Sequence, residues 1–258
     1  MSDNPFSLES VKESISENFA LYVVAILILV GGFMGGSLWQ KTKMLEDGTG
    51  VKPQAPAVAG EIAPPEEPAG PPKEVLALMP PVTQDDHVRG NIDAKVILVE
   101  YSDYECPYCE RFHNTMKDVL EEYGDDIAWV YRHYPLSFHA NAQKASEAAE
   151  CVASIGGNQA FWDFSDLYYG RTDSSGTGIA IEDMPALAAE VGVSQTAVAN
   201  CLESDQMADL VTAQFDTGNA AGVSGTPGTI IVTADGPQDF IGGAYPLDQV
   251  KATIDKYL

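Results

Sequence analysis

The apolar run Val96-Ile97-Leu98-Val99-Glu100-Tyr101 is followed, four residues later, by Cys106-Pro107-Tyr108-Cys109. The run is short, β-branched and apolar, which predicts a buried strand. The cysteine pair then opens a stretch in which Phe112, Met116, Val119 and Leu120 recur at helical spacing, predicting a helix from Cys106 to about Tyr123. A buried strand that delivers two cysteines to the start of a helix leaves few architectures open. Such a pair is either a redox dithiol or half of a metal site.

The rest of the chain favours the dithiol. A zinc site needs further ligands at matching spacing. The other two cysteines, Cys151 and Cys201, stand apart, and His87, His113, His133 and His139 form no such pattern, so no metal is expected. A thiol reacts as its thiolate, and the positive end of a helix dipole stabilises that anion. Cys106, at the helix start, is therefore the expected nucleophile. Cys109, one turn further in and more shielded, is expected to resolve the mixed disulfide. Pro107 suits the first turn, where no N–H is needed.

Further strands are predicted at Ile127–Tyr131, Thr229–Thr233 and Asp239–Gly242, with a closing helix at Leu247–Tyr257. Between the second and third strands the pattern is helical, at Ala140–Ser154, Ala160–Tyr169, Met184–Val191, Gln195–Leu202 and Gln206–Ala221. The order β-α-β, helical block, β-β-α describes an α/β domain over 86–258 whose sheet is interrupted by an insertion at about 138–221. Cys151 and Cys201 fall in separate helices of that insertion, and two outcomes are open: a second disulfide or two buried thiols.

The N-terminal third is of another kind. After a polar segment, 1–18, no charged residue occurs from Phe19 to Gln40, and about 20 apolar residues suffice to span a bilayer. A single transmembrane helix is expected at 19–40, with Tyr22 and Trp39 near its ends. A cleaved signal peptide is the alternative reading, against which the leading segment lacks a positive n-region. Lys41 and Lys43 follow the span while only Lys12 and the amino terminus precede it, and the positive-inside rule read alone would place the following chain in the cytoplasm. Residues 41–85 hold nine of the sixteen prolines, with alanine, glycine and glutamate between them. Such a linker favours extended conformations and serves as a stalk reaching at most on the order of 100 Å. The net charge of −24 repels phosphate backbones, so no nucleic-acid partner is expected.

Four segments in order, Glu100-Tyr101-Ser102-Asp103-Tyr104-Glu105-Cys106-Pro107-Tyr108-Cys109, Arg132-His133-Tyr134-Pro135-Leu136, Phe161-Trp162-Asp163-Phe164 and Gly222-Val223-Ser224-Gly225-Thr226-Pro227, resemble the DsbA-like thioredoxin-fold family. The resemblance covers about Asp85 to Leu258 and implies a thioredoxin fold with an inserted helical domain. It implies thiol–disulfide exchange on cysteine-containing polypeptides without a cofactor, with the domain outside the cytoplasm and a membrane redox partner to recycle it. By position, Cys106 and Cys109 resemble the family's nucleophile and buried partner. Thr226-Pro227 resembles its cis-proline loop, whose free backbone groups can pair with an extended substrate. Glu100 resembles the buried acid that relays the resolving cysteine's proton. Tyr108 departs from the histidine of strongly oxidising members and supplies no positive charge, which leaves disulfide formation, isomerisation and reduction open. Glu105, beside Cys106, is expected to oppose thiolate formation.

Overall fold

The computed structural model describes residues 70–172 and 178–258. The expected membrane span at 19–40, the segment 1–18 and residues 41–69 of the linker lie outside them. Among the described residues no helix is long and apolar enough to cross a membrane.

The fold is centred on a strand that serves two cores. Alternate side chains of a strand point to opposite faces. Accordingly Val96 and Leu98 join one cluster with Cys109, Phe112 and Trp129, while Val99 and Tyr101 join another with Leu76, Val130 and Ile230. Burying each such side chain contributes roughly 1.5–3 kcal/mol. Glu100 and Ser102 have the parity of the first face and continue it toward the cysteines.

In chain order the elements are helix α1 (Lys73–Leu76), strands β1 (His87–Gly90) and β2 (Val96–Ser102), helix α2 (Pro107–Tyr123) and strand β3 (Ile127–His133). Four helices follow, α3 (Ala142–Arg171), α4 (Met184–Glu190), α5 (Gln195–Glu203) and α6 (Ala208–Ala220), then β4 (Gly228–Thr233), β5 (Gly236–Gly242) and α7 (Leu247–Ile254). The sheet order is β1-β3-β2-β4-β5. β2 and β3 are parallel, joined across α2 as a parallel pair must be by a crossover. β1 is antiparallel to β3, β4 to β2, and β5 to β4. Phe112, Met116 and Val119 of α2 and Val250 and Ile254 of α7 enter the first cluster. Residues from α1 to Val82 and Phe215 of α6 cover the other face. The helices α3–α6 lie between β3 and β4 in sequence, so they form an insertion in an otherwise continuous sheet topology.

Two features differ from the sequence reading. β1 was not predicted, because four residues of mixed polarity carry no strand pattern of their own; the edge of β3 supplies the pairing. Residues before 86 also pack on the domain: Leu76 and Met79, placed in the linker by composition, are buried in the second cluster. Arg132, 4% exposed, fixes this segment by donating to Asp86 Oδ1 at 2.8 Å and to the carbonyls of Pro80 and Pro81. The two helices expected at 140–154 and 160–169 are both present within α3, separated at Gly157, where the backbone is non-helical with a φ of +79° that suits glycine.

Cys151 and Cys201 are joined in a disulfide that ties α3 to α5 across a separation of 50 residues. The alternative of two free thiols is thereby removed.

Candidate dithiol site

Ser102 ends β2 and the chain turns through Asp103-Tyr104-Glu105 before α2 begins. Asp103, fully buried, shapes that turn by accepting from the backbone N–H of Glu105 at 2.7 Å, from Leu136 N at 2.8 Å and from His139 Nδ1 at 2.8 Å. Burial pushes its carboxyl up despite these bonds. The turn leaves Cys106 as the residue capping α2, with Pro107 in its first turn and Cys109 inside it. Both are free cysteines. Cys106 is 4% exposed and Cys109 fully buried.

The two sulfurs differ sharply in acidity. The Cys109 thiol donates to Cys106, and this bond is the largest cause holding Cys106 down at about 6. The Thr226 side chain and the backbone N–H groups of Cys109 and Tyr108 act in the same sense, and with the Cys109 bond they outweigh burial. Cys109 is pushed well above the ordinary thiol range, by burial first and then by Cys106 and the charge of Glu100. A dithiol of this kind keeps one thiolate poised for attack and the other sulfur protonated.

Opposite Cys106 lies the loop before β4. Its Thr226–Pro227 peptide is cis, and the Thr226 carbonyl accepts from the Cys106 thiol at 3.5 Å. Beside the loop runs an open groove of about 270 Å³ lined by Ser224, Gly225, Thr226, Pro227, Phe240 and Gly242. Tyr108 is 56% exposed at the rim, with the Arg111 guanidinium 5.2 Å from its ring centre.

Beneath the dithiol, Glu100 is 1% exposed and accepts from Trp129 Nε1 at 2.8 Å. Burial is the main reason that its carboxyl is pushed up to about 7, with the charge on Cys106 adding to it and bonds from Ser102 and Trp129 opposing. Glu105 is turned away from the role expected of it: its carboxylate accepts from Asn141 N at 2.7 Å and Gly178 N at 2.8 Å. Glu100, Cys106, Cys109, Thr226 and Pro227 thus come together, while Cys151 and Cys201 are held apart in the insertion. Ser102, Trp129 and Tyr169 were missed by sequence reasoning. Of these, Ser102 was detectable as the residue two beyond Glu100 on the same strand face.

One group of described residues could hold a metal ion: His87, His133 and Glu150, whose ligand atoms lie within 4.8 Å of one another. Both imidazole Nε2 atoms bond the same Glu150 oxygen at 2.9 Å. His133 Nδ1 has no partner, whereas a metal-bound histidine ordinarily donates its second N–H to a neighbour. The trio is therefore better described as a hydrogen-bonded tie between β1, β3 and α3.

A parallel β2-α2-β3 unit carrying two thiols at the helix start, faced by a cis-proline loop and extended by an inserted helical block, defines a thioredoxin-fold α/β protein of the DsbA-like type. The chain belongs to the thioredoxin family, whose profile matches residues 82–256. Among solved structures it is similar to oxidised BdbD from Bacillus subtilis, 22% identical with a TM-score of 0.61 over 69% of this chain and 95% of that one. It is similar also to DsbA2 from Pseudomonas aeruginosa, 21% identical with a TM-score of 0.58 over 69% and 97% of the respective chains. Among curated sequences it is 35% identical over 155 residues to Na(+)/H(+) antiporter NhaA 3 of Salinispora tropica, covering 59% of this chain. It is 40% identical over 111 residues, 42% of this chain, to Na(+)/H(+) antiporter NhaA 1 of Mycolicibacterium vanbaalenii. The matches span only 22% and 17% of those two relatives' length.

Proposed function

We propose that the chain is a thiol–disulfide oxidoreductase that forms disulfides in extracytoplasmic proteins through Cys106 and Cys109. The observation that carries this reading is the asymmetric dithiol: an acidic Cys106 at the helix start, facing the cis-proline loop, above a fully buried Cys109 whose thiol is pushed the other way. Stabilising the Cys106 thiolate stabilises the reduced form, and a dithiol that prefers to be reduced is an oxidant toward other thiols. This favours disulfide formation over reduction, although Tyr108 brings no charge of its own.

In the proposed cycle a substrate thiolate attacks Cys106 Sγ of the oxidised pair. The Cys106–Cys109 bond breaks, a substrate–Cys106 bond forms, and Cys109 leaves with the electron pair. A second substrate thiolate then attacks the substrate sulfur, releasing Cys106 as thiolate and the substrate as disulfide. The Thr226-Pro227 loop and the groove beside it hold the extended substrate, and Glu100 serves the proton exchange of Cys109. Regeneration requires a membrane redox partner that accepts two electrons. The Cys151–Cys201 disulfide supports an oxidising compartment. The expected span at 19–40 would tether the domain there as a single-pass protein, and the likeness to segments of antiporter chains accords with work beside a membrane.

Cys106→Ser tests the reading against a peptide-binding module that needs no turnover. The oxidoreductase loses exchange with reduced polypeptides, whereas a binding module retains its function.

A further inference from the structure

The backbone of Asp103 touches both cysteines. The Cys106 N–H donates to its carbonyl at 3.1 Å, closing a four-residue turn, and the Glu105 N–H donates to its Oδ1 at 2.7 Å, the local bond that aspartate favours in turns. Tyr169 Oη donates to the same carbonyl at 3.2 Å. The Asp103 N–H donates to Cys109 Sγ at 3.4 Å, so the strand end supplies a hydrogen-bond donor to the buried sulfur.

The second carboxylate oxygen reaches out of the turn. Oδ2 accepts from Leu136 N and from His139 Nδ1, each at 2.8 Å, across the loop that follows β3. The Asp103 side chain is fully buried and that of His139 nearly so. Two of these three donors to the carboxylate are backbone groups, and His139 is the side chain that completes the set. A buried carboxylate deprived of a donor moves toward whatever can solvate it and carries its own backbone along.

We infer that the Asp103 N–H is a catalytic donor to Cys109 and that His139 is the positioning residue that holds it there. The inference rests on the exchange reading above and adds the groups that serve the buried sulfur. When a substrate thiolate attacks Cys106 Sγ, the Cys106–Cys109 bond breaks and Cys109 leaves with the electron pair. In the reverse direction the Cys109 thiolate attacks Cys106 Sγ and expels the substrate as thiolate. Both directions share one transition state, in which negative charge develops or fades on Cys109 Sγ. An N–H aimed at that sulfur bonds it more strongly when charged than as thiol or disulfide, so it lowers the barrier both ways and leaves the equilibrium in place.

The test uses the full chain and glutathione, with acid quenching and mass spectrometry. Reduced protein mixed with glutathione disulfide gives the rate at which Cys109 resolves the Cys106–glutathione adduct. Oxidised protein mixed with reduced glutathione gives the rate of opening. His139→Ala is expected to slow both on the order of 10-fold, the low end for one hydrogen bond to a charged group, with the equilibrium constant between them unchanged. His139→Asn, whose amide nitrogen can take the place of Nδ1, should restore both rates. Thermal unfolding checks that the variants fold. A folded His139→Ala protein with wild-type rates overturns the inference, as does one slowed in a single direction, which would mark an effect on the stability of one redox form. A folded His139→Asn protein that stays slow also overturns it. A measurement without substitution stands beside these: by NMR of the nitrogen-labelled wild type, the Asp103 amide should exchange slowly with deuterium and shift when the dithiol is oxidised. An amide that exchanges freely or ignores oxidation overturns the donor role. A wild-type adduct that never resolves instead overturns the exchange reading itself.

Discussion

Trp129 Nε1 donates to Glu100 Oε2 at 2.8 Å inside a fully buried setting, so the carboxyl below the dithiol is held by a neighbouring strand and cannot turn to solvent. The carboxyl is pushed up to about 7, and this sets a pH dependence of stability. Between the ordinary carboxyl range and pH 7 the folded protein keeps a proton that the unfolded chain has released. Stability therefore falls as pH rises through this window, by about 3 kcal/mol in all. Glu100→Gln should raise the thermal midpoint by several degrees at pH 8 and leave it nearly unchanged at pH 4. Equal shifts at both values would contradict the assignment.

Cys106 should be the reactive thiol. Its alkylation by iodoacetamide in the reduced, folded protein should rise with a midpoint near pH 6, while Cys109 stays unmodified. Thr226→Val, which removes a hydroxyl that supports the thiolate, should move that midpoint upward. A midpoint in the ordinary thiol range for the wild type would remove the basis for an oxidant.

The Cys151–Cys201 bond should stabilise the domain without taking part in exchange. Closing a loop of 50 residues is worth about 4 kcal/mol in the loop-entropy model. The Cys151→Ser/Cys201→Ser protein should unfold about 10 °C lower and keep the same Cys106 alkylation profile. Loss of Cys106 reactivity in the folded double variant would show that the two sites are linked.

Much of this was written in the chain. The strand–dithiol–helix order and the helical block were legible because each rests on local periodicity. Pairing at Thr226-Pro227 and Glu100 followed from resemblance, not from spacing. What the sequence could not display is what depends on distant neighbours. β1 exists because β3 has an edge to pair; Glu105 accepts backbone hydrogens from residues 36 and 73 positions away. Ser102 looks like any serine until the strand face beneath Cys109 is known. The proline-rich composition likewise hid Leu76 and Met79, since a linker composition says nothing about two apolar residues that find a sheet face.

Arg132 and Asp86 should be energetically inseparable. Their side chains are 5% and 9% exposed, and the guanidinium also holds the carbonyls of Pro80 and Pro81. Arg132→Ala leaves a buried carboxylate unpaired and should cost about 3–5 kcal/mol in denaturant unfolding. The Arg132→Ala/Asp86→Ala double variant should cost less than the two single changes summed. Proteolysis should then open first at 77–86, where the contact is lost. Additive single effects would contradict the pairing.

The central claim is that Cys106 transfers the disulfide. Oxidised protein mixed with a reduced, unfolded two-cysteine polypeptide should yield one substrate disulfide per dithiol formed. The Cys109→Ala variant, supplied with the same polypeptide in its disulfide form, should trap an intermolecular bond that maps to Cys106 by mass spectrometry. No transfer by the wild type, or a trapped bond at any residue other than Cys106, would contradict the account.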